Sequence, residues 1–65
     1  MKIEFIQEEQ DNQNETTRYW FQVDDEVYAI SDCNGFVQLL DSDGYPVESQ
    51  NDHRNIKASL IIRIF

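Results

Sequence analysis

The chain has 65 residues, with 13 acidic and 5 basic side chains and a formal net charge of −8, a balance that excludes broad attraction to nucleic acid or to an anionic membrane. Its single cysteine excludes an internal disulfide, and no cysteine–histidine cluster could hold zinc. The length predicts one small acidic domain, residues 1–65, whose marginal core would benefit from self-association or a partner.

The charge is distributed unevenly along the chain. Residues 3–52 hold all 13 acids and a single base, Arg18, whereas residues 53–65 hold three bases and no acid. A basic partner would be attracted to most of this surface, and the rate of encounter would fall with added salt. The start of the chain, MKIEFIQEE, has neither the charge nor the apolar run of a signal peptide or a membrane span. We therefore expect a soluble protein of a reducing cytoplasm.

The first segment, Lys2 to Glu8, is predicted to be a strand, with Ile3 and Phe5 on one face. Residues 8–16 (EEQDNQNET) contain no apolar side chain and are predicted to be a mobile surface loop. The acids of this loop are the densest flexible negative charge in the chain: Glu8, Glu9, Asp11 and Glu15.

Residues 16–37 are predicted to be three strands joined by two turns, and the rest of the chain is organised around them. The first turn lacks Gly and Asn, so a four-residue turn built on Asp25-Glu26 is favoured, which would pair Val23 with Tyr28 and Phe21 with Ile30. The dipeptide Asn34-Gly35 predicts a type I′ hairpin that places Ile30 opposite Leu39 and Asp32 opposite Val37. The predicted core face follows from these registers: Tyr19, Phe21, Val23, Tyr28, Ile30, Val37 and Leu39.

The opposite face of the meander is mixed, with apolar side chains at Trp20, Val27, Ala29, Phe36 and Leu40. Two interpretations stay open. The chain termini could fold over this face, as in most two-layer domains, or it could be a binding surface centred on Trp20.

Residues 41–44 predict a further turn, and Pro46 limits the strand after it to a short or edge position. Residues 48–55 are polar and could form a single helical turn capped by Ser49 or Asn51. The last segment, residues 56–65, places Ile56, Ala58, Leu60, Ile62 and Ile64 on one face of a strand. The competing helix has a partly apolar stripe at 53, 56, 57, 60, 61 and 64. The β-branched isoleucines favour the strand.

The predicted fold is therefore all-β, an antiparallel meander sheet or small open barrel of about five strands. The alternative is an α+β fold in which a C-terminal helix packs on a four-stranded sheet.

No motif predicts catalysis, a metal or a cofactor. The two D-x-[ND]-G stretches at 32–35 and 41–44 resemble calcium loops, but Ile30 and Leu39 occupy the position of the first acidic ligand. Cys33 and His53 are the only pair suited to nucleophilic catalysis, and no third residue orients His53 as a base. We expect an incidental thiol, a surface histidine and no enzyme. Arg18 is expected to pair with a nearby acid or to stack on a ring.

The charge instead suggests competition for a cationic surface. Alternate side chains of a strand lie about 6.6–6.8 Å apart, close to the spacing of neighbouring phosphates, so carboxylates can imitate a nucleic-acid backbone. The partner-binding residues predicted on this basis are Glu8, Glu9, Asp11, Glu15, Trp20, Asp24, Asp25, Glu26, Asp41 and Asp43.

In its size, acidity, lone cysteine and lack of an enzymatic motif, the chain resembles the small phage-encoded inhibitors of bacterial defence, anti-CRISPR proteins above all. The resemblance implies a protein that binds a CRISPR effector, or another nucleic-acid-binding protein, and blocks DNA recognition or cleavage. It implies neither one fold nor any site residue. The alternative is an antitoxin, an immunity protein or a structural interaction module with no DNA-related target. In either case we expect a monomer or small homo-oligomer that binds no nucleic acid or membrane itself.

Overall fold

The computed structural model describes residues 1–47 and 51–65, which form four strands and one helix. The elements are β1 (Ile3–Asp11), β2 (Thr16–Val23), β3 (Glu26–Cys33), β4 (Phe36–Leu40) and α1 (Asn51–Ile64). The strands form an antiparallel sheet in the order β1-β2-β3-β4, and the helix packs on one face. The meander sheet is thus confirmed, but the predicted all-β fold of about five strands is wrong at its last element. The α+β alternative is the observed architecture.

The hairpin between β3 and β4 has the predicted geometry. Asn34 and Gly35 both have positive φ, at 52° and 88°, as a type I′ turn requires. Ile30 pairs with Leu39 and Asp32 pairs with Val37, so the predicted register is confirmed.

The hairpin between β2 and β3 differs from the prediction by two residues. Val23 pairs with Glu26 and Phe21 with Tyr28, which leaves a two-residue turn at Asp24-Asp25. Asp24 adopts a φ of 53°, a conformation that aspartate tolerates better than most residues. Its backbone N–H donates to the carbonyl oxygen of Lys2 at 2.9 Å, and its Oδ1 accepts from the N–H of Lys2 at 2.8 Å. These bonds to the start of the chain stabilise a turn that the local sequence does not favour.

The strand β1 is longer than predicted. It continues to Asp11, and only residues 12–15 form the turn before β2. The predicted loop over residues 8–16 is therefore wrong for most of its length, because backbone pairing with β2 stabilises a polar segment that has no apolar side chain of its own. A β-bulge at Ile6 shifts the register between Phe5 and Gln7.

The core lies between the sheet and the helix. Its buried members are Phe21, Val23, Tyr28, Ile30, Leu39 and Leu60, and the partly buried residues packed against them are Ile3, Tyr19, Val37, Val47, Ile56, Ile61 and Ile64. All seven core residues predicted from the meander belong to one of these two groups. An error of two residues in the β2–β3 register left the assignment of faces intact, because side chains alternate with a period of two.

The helix follows the stripe that the sequence offered as the weaker alternative. Leu60 is fully buried, and Ile56, Ile61 and Ile64 pack beside it, whereas Ala58, Ile62 and Phe65 are exposed. Burying Leu60 contributes about 1.5–3 kcal/mol, which exceeds the few tenths by which each isoleucine disfavours a helix. The predicted cap Ser49 lies outside the described residues, and the predicted single helical turn near residue 51 belongs to the longer helix.

The segment after β4 behaves as predicted. Residues 41–44 form a turn with Gly44 at a φ of 90°, and Pro46 makes an isolated bridge to Leu40. Val47 donates its N–H to the carbonyl oxygen of Leu39 at 3.1 Å and packs against the core. The short strand interaction predicted at Pro46 is confirmed.

Candidate partner-binding surfaces

The acids predicted to bind a partner fall into two groups toward opposite ends of the sheet. The β1 group contains Glu8, Glu9, Asp11 and Glu15, and the turn group contains Asp24, Asp25, Glu26, Asp41 and Asp43. Strand β2 connects the two ends and spans about 23 Å at the usual rise per residue. A single flat contact to all ten predicted residues would have to cover the length of the sheet.

The β1 group is built on a strand and its turn. Glu8 pairs with Tyr19 and lies on the helix-facing side, whereas Glu9 and Asp11 lie on the opposite face. Oε1 of Glu9 accepts from Nη1 of Arg18 at 3.4 Å and from Nε1 of Trp20 at 3.3 Å. The expected pairing of Arg18 with an acid is confirmed, and the same carboxylate orients the indole of Trp20.

The turn that follows β1 holds the other two acids of this group. Oδ1 and Oδ2 of Asp11 accept from the backbone N–H and the Nδ2 of Asn14, at 3.3 and 2.8 Å. These two bonds, chiefly the one from the Asn14 side chain, hold the pKa of the Asp11 carboxyl below its ordinary value. Glu15 has a φ of 53° and accepts from Nδ2 of Asn34 at 3.2 Å, which links two turns at this end of the sheet.

The turn group surrounds a shallow cleft, called here the acidic cleft. Three of its acids line the cleft, together with five other residues: Asp25, Glu26, Val27, Tyr28, Asp41, Ser42, Val47 and His53. The structure thus brings together Asp25, Glu26 and Asp41 and leaves Asp24 and Asp43 outside the cleft. Tyr28 and His53 are members that the sequence did not suggest for a site.

Tyr28 and Glu26 form the tightest contact of the acidic cleft. The Tyr28 hydroxyl donates to Oε2 of Glu26 at 2.5 Å, and this bond, with burial of the ring, raises the pKa of Tyr28 to about 12. The ring of His53 packs edge-on against Tyr28, with centroids 5.9 Å apart. His53 is half-buried and not the predicted surface histidine, and its Nδ1 is buried without a hydrogen-bond partner among the described residues.

Two acids of the turn group have structural roles. Asp24 holds the start of the chain through Lys2, and Oδ1 of Asp41 accepts from the N–H groups of Asp43 and Tyr45 at 2.9 and 3.0 Å. Asp25 makes no side-chain hydrogen bond within the described part of the chain and is exposed. Asp43 is likewise exposed, and its carboxylate makes no hydrogen bond in the same part of the chain, but it lies outside the cleft. Asp25 is therefore the acid of the cleft most available to a partner.

The face of the sheet opposite the helix carries Trp20. No described helix or strand covers this face, because α1 lies on the core side and β1 pairs at the edge of the sheet. Of the two interpretations left open for this face, covering by the chain termini is therefore wrong for the described residues. Ala29 and Leu40 are nevertheless buried, and Ala29 lies between Trp20 and Leu40 in register. Trp20 is half-buried and Phe36 is exposed.

A second apolar surface was not predicted. The helix packs mainly over β3 and β4, which leaves a groove on the β1 side of the same face. The residues lining this groove, called here the β1 groove, are Ile3, Phe5, Glu8, Tyr19, Phe21, Arg63 and Ile64. The ring of Phe5 is 58% exposed and packs edge-on against Phe21 at 5.5 Å. The only signal in the sequence was Phe5 on the core face of a first strand.

No family model matches the chain, and no curated protein or solved structure is significantly similar to it. Within residues 1–47 and 51–65, no group of three or more His, Cys, Asp or Glu side chains could hold a metal ion. The helix that the structure describes is too short and too polar to cross a membrane.

Proposed function

We propose that the protein is an acidic, non-enzymatic inhibitor that binds the cationic surface of a nucleic-acid-handling protein and blocks its recognition or cleavage of DNA. The partner class that fits best is a bacterial defence complex of the CRISPR effector type, encountered in the bacterial cytoplasm. The partner-binding residues proposed are the two acid groups and Trp20.

The observation that carries the proposal is the number of carboxylates left without a cation. Among the described residues, ion pairs engage only Glu4, with Lys2 at 3.2 Å, and Glu9, with Arg18 at 3.4 Å. The acids of both groups lie on strands or on turns that internal hydrogen bonds hold in place, so that little ordering entropy opposes their binding to lysine or arginine.

The position of the β1 group supports competition with nucleic acid. Glu9 and Asp11 lie on the same face of β1, two residues apart, which corresponds to about 6.6–6.8 Å. This spacing is close to that of neighbouring phosphates, and lysine or arginine side chains placed for phosphates would meet these carboxylates at similar positions.

Two features support binding over catalysis. Cys33 lies at the β1–β2 end of the sheet, where its Sγ is 3.6 Å from the carbonyl oxygen of Asn14, whereas His53 lines the acidic cleft at the other end. A thiol and an imidazole at opposite ends cannot act as a nucleophile and its base. Glu26 accepts a hydrogen bond from the Tyr28 hydroxyl, and the raised pKa of Tyr28 makes this hydroxyl a poor acid near neutral pH.

The test is recovery of a partner on the immobilised protein from a bacterial lysate that contains a CRISPR effector complex, with bound proteins identified by mass spectrometry. We expect a nucleic-acid-handling complex at low salt and less of it at high salt. Asp25→Lys should weaken binding about tenfold, or ~1.4 kcal/mol, because a partner cation would face a lysine.

The matched control is Asp52→Lys, which makes the same charge change on the helix and outside both acid groups. Binding that is equal for the two variants would show that only net charge matters. Recovery of a basic toxin would favour the immunity-type module instead. Recovery of the protein alone would contradict the proposal.

A further inference from the structure

The outer edge of β1 is an open side of the sheet. The strand pairs only with β2 among the described strands, and seven of its nine residues are exposed. The backbone N–H and C=O groups directed away from β2 are therefore available along an edge that can accept another strand. The bulge at Ile6 shifts the register along this edge between Phe5 and Gln7.

The β1 groove lies directly beside this edge. Phe5 and Ile3 form its wall on β1, and Ile64 of the helix forms the wall across from them. Phe65 extends the apolar surface, since its exposed ring packs edge-on against Tyr19 at 6.4 Å. A strand added to β1 would direct every second side chain into this groove.

The charge of β1 favours a basic segment over a second copy of the chain as the occupant of this edge. The strand contains four acids and no base, at Glu4, Glu8, Glu9 and Asp11. A second copy of the chain paired through β1 would bring eight carboxylates together, which like-charge repulsion opposes. A segment that carries lysine or arginine gains from the same charges.

We propose that a short extended segment of the basic partner adds to the outer edge of β1. Its apolar side chains lie in the β1 groove against Phe5, and its alternate lysine or arginine side chains lie over Glu9 and Asp11 on the other face. This inference rests on the proposed function for the basic nature of the partner, and it names the mode of binding and the kind of segment bound.

The test uses the whole protein and synthetic peptides, with no target complex. The probe is a capped peptide of about eight residues in which valine and lysine alternate. One control peptide has the same composition with the valines and lysines in separate blocks. A second has alternate backbone nitrogens methylated, which removes donors for strand pairing. Affinity is measured by titration, and the site by hydrogen exchange of the β1 amides.

We expect the alternating peptide to bind at least about tenfold more tightly than either control and to protect alternate amides of β1. Phe5→Ala should weaken binding about tenfold, whereas Phe36→Ala should change it by less than about twofold. These two variants are matched, since Phe36 is 64% exposed on the face opposite the groove. Thermal unfolding of each variant is measured to establish that the variant is folded.

A second variant is independent of the Phe5–Phe21 packing. Glu8→Gln keeps the size of the side chain and removes a charge at the rim of the groove, and we expect it to weaken binding several-fold more than Asp52→Asn. Equal binding of the alternating and block peptides, protection of other amides, or equal effects of Phe5→Ala and Phe36→Ala would overturn the inference.

The two experiments distinguish failure of the proposed function from failure of the inferred strand addition. If the effector complex is recovered from the lysate but the alternating peptide does not bind β1, the inferred strand addition is wrong and the proposed function stands. If the peptide binds β1 but no nucleic-acid-handling complex is recovered, the proposed function is wrong and the β1 edge remains a peptide site.

Discussion

The acidic cleft contains one phenol, Tyr28, whose pKa is raised chiefly by its hydrogen bond to one carboxylate. Tyr28 is buried, and its hydroxyl donates to Glu26, which raises the pKa of Tyr28 from its ordinary 10.0 to about 12. The unfolded chain therefore loses the Tyr28 proton at lower pH than the folded chain. The contribution of this bond to stability is complete below about pH 10 and is lost as the pH rises toward 12.

Glu26→Gln should lower the pKa of Tyr28 toward 10, because the bond to the Glu26 carboxylate is the largest cause of the shift. The measurement is a pH titration of the Tyr28 ring by NMR. Asp25→Asn is the matched control: it removes a neighbouring charge that does not contribute to the shift, so the pKa of Tyr28 should remain near 12. Equal pKa values in the two variants would contradict the assigned cause.

Gly35→Ala should destabilise the protein by about 1 kcal/mol, because a φ of 88° strains any residue with a Cβ. No atom lies within 4 Å of the position of the added Cβ, so the cost is one of backbone conformation alone. Urea unfolding measures it. No loss of stability would show that the β3–β4 turn does not require this conformation.

At the scale of single residues, the sequence predicted what local chemistry determines. Asn34-Gly35 specifies its own turn, and the registers across it were predicted correctly. Asp24 was not predicted to adopt positive φ, because the bonds that stabilise it come from Lys2, which is distant in the sequence. The burial of His53 was missed for the same reason, since its packing on Tyr28 depends on the helix.

The helix is the element that the sequence assigned wrongly. The apolar side chains of residues 56–65 fit both the two-residue period of a strand and the period of a helix, and isoleucine favours a strand. The choice between strand and helix depends on whether the apolar face of the sheet must be buried against another element. The four paired strands have one such apolar face, and it is buried by the helix. The extension of β1 was also not predicted, because this polar segment is stabilised by backbone pairing with β2 and not by apolar side chains of its own.

Leu60→Ala should destabilise the protein by about 2–5 kcal/mol, because the side chain is fully buried between the helix and the sheet. Ile62→Ala makes a similar change on the same helix at a residue that is 74% exposed, and it should cost less than about 0.5 kcal/mol. Urea unfolding of both variants compares them. Equal losses would contradict the helix orientation.

The whole molecule carries a net charge of −8 on 65 residues. Repulsion among the two acid groups opposes the compact state, and salt screens it. We expect the free energy of unfolding to rise between low and moderate sodium chloride, measured with urea, which adds no ions. A decrease would show that ion pairs such as Glu9–Arg18 outweigh the repulsion.

The arrangement of the candidate surfaces could be predicted from the sequence only in part. The acids were identified by composition, but their division into a β1 group and a turn group depends on strand pairing that a sequence does not display. The structural roles of Asp24 and Asp41 and the apolar groove beside Phe5 also arise from contacts between distant segments.

The most direct test of the proposed function is displacement of labelled target DNA from a purified CRISPR effector complex by this protein, measured at low and high salt. We expect the protein to displace the DNA at low salt, less effectively at high salt, and about tenfold less effectively after Asp25→Lys but not after Asp52→Lys. Failure to displace DNA at any salt concentration, or simultaneous binding of DNA and protein to a complex that remains active, would contradict it.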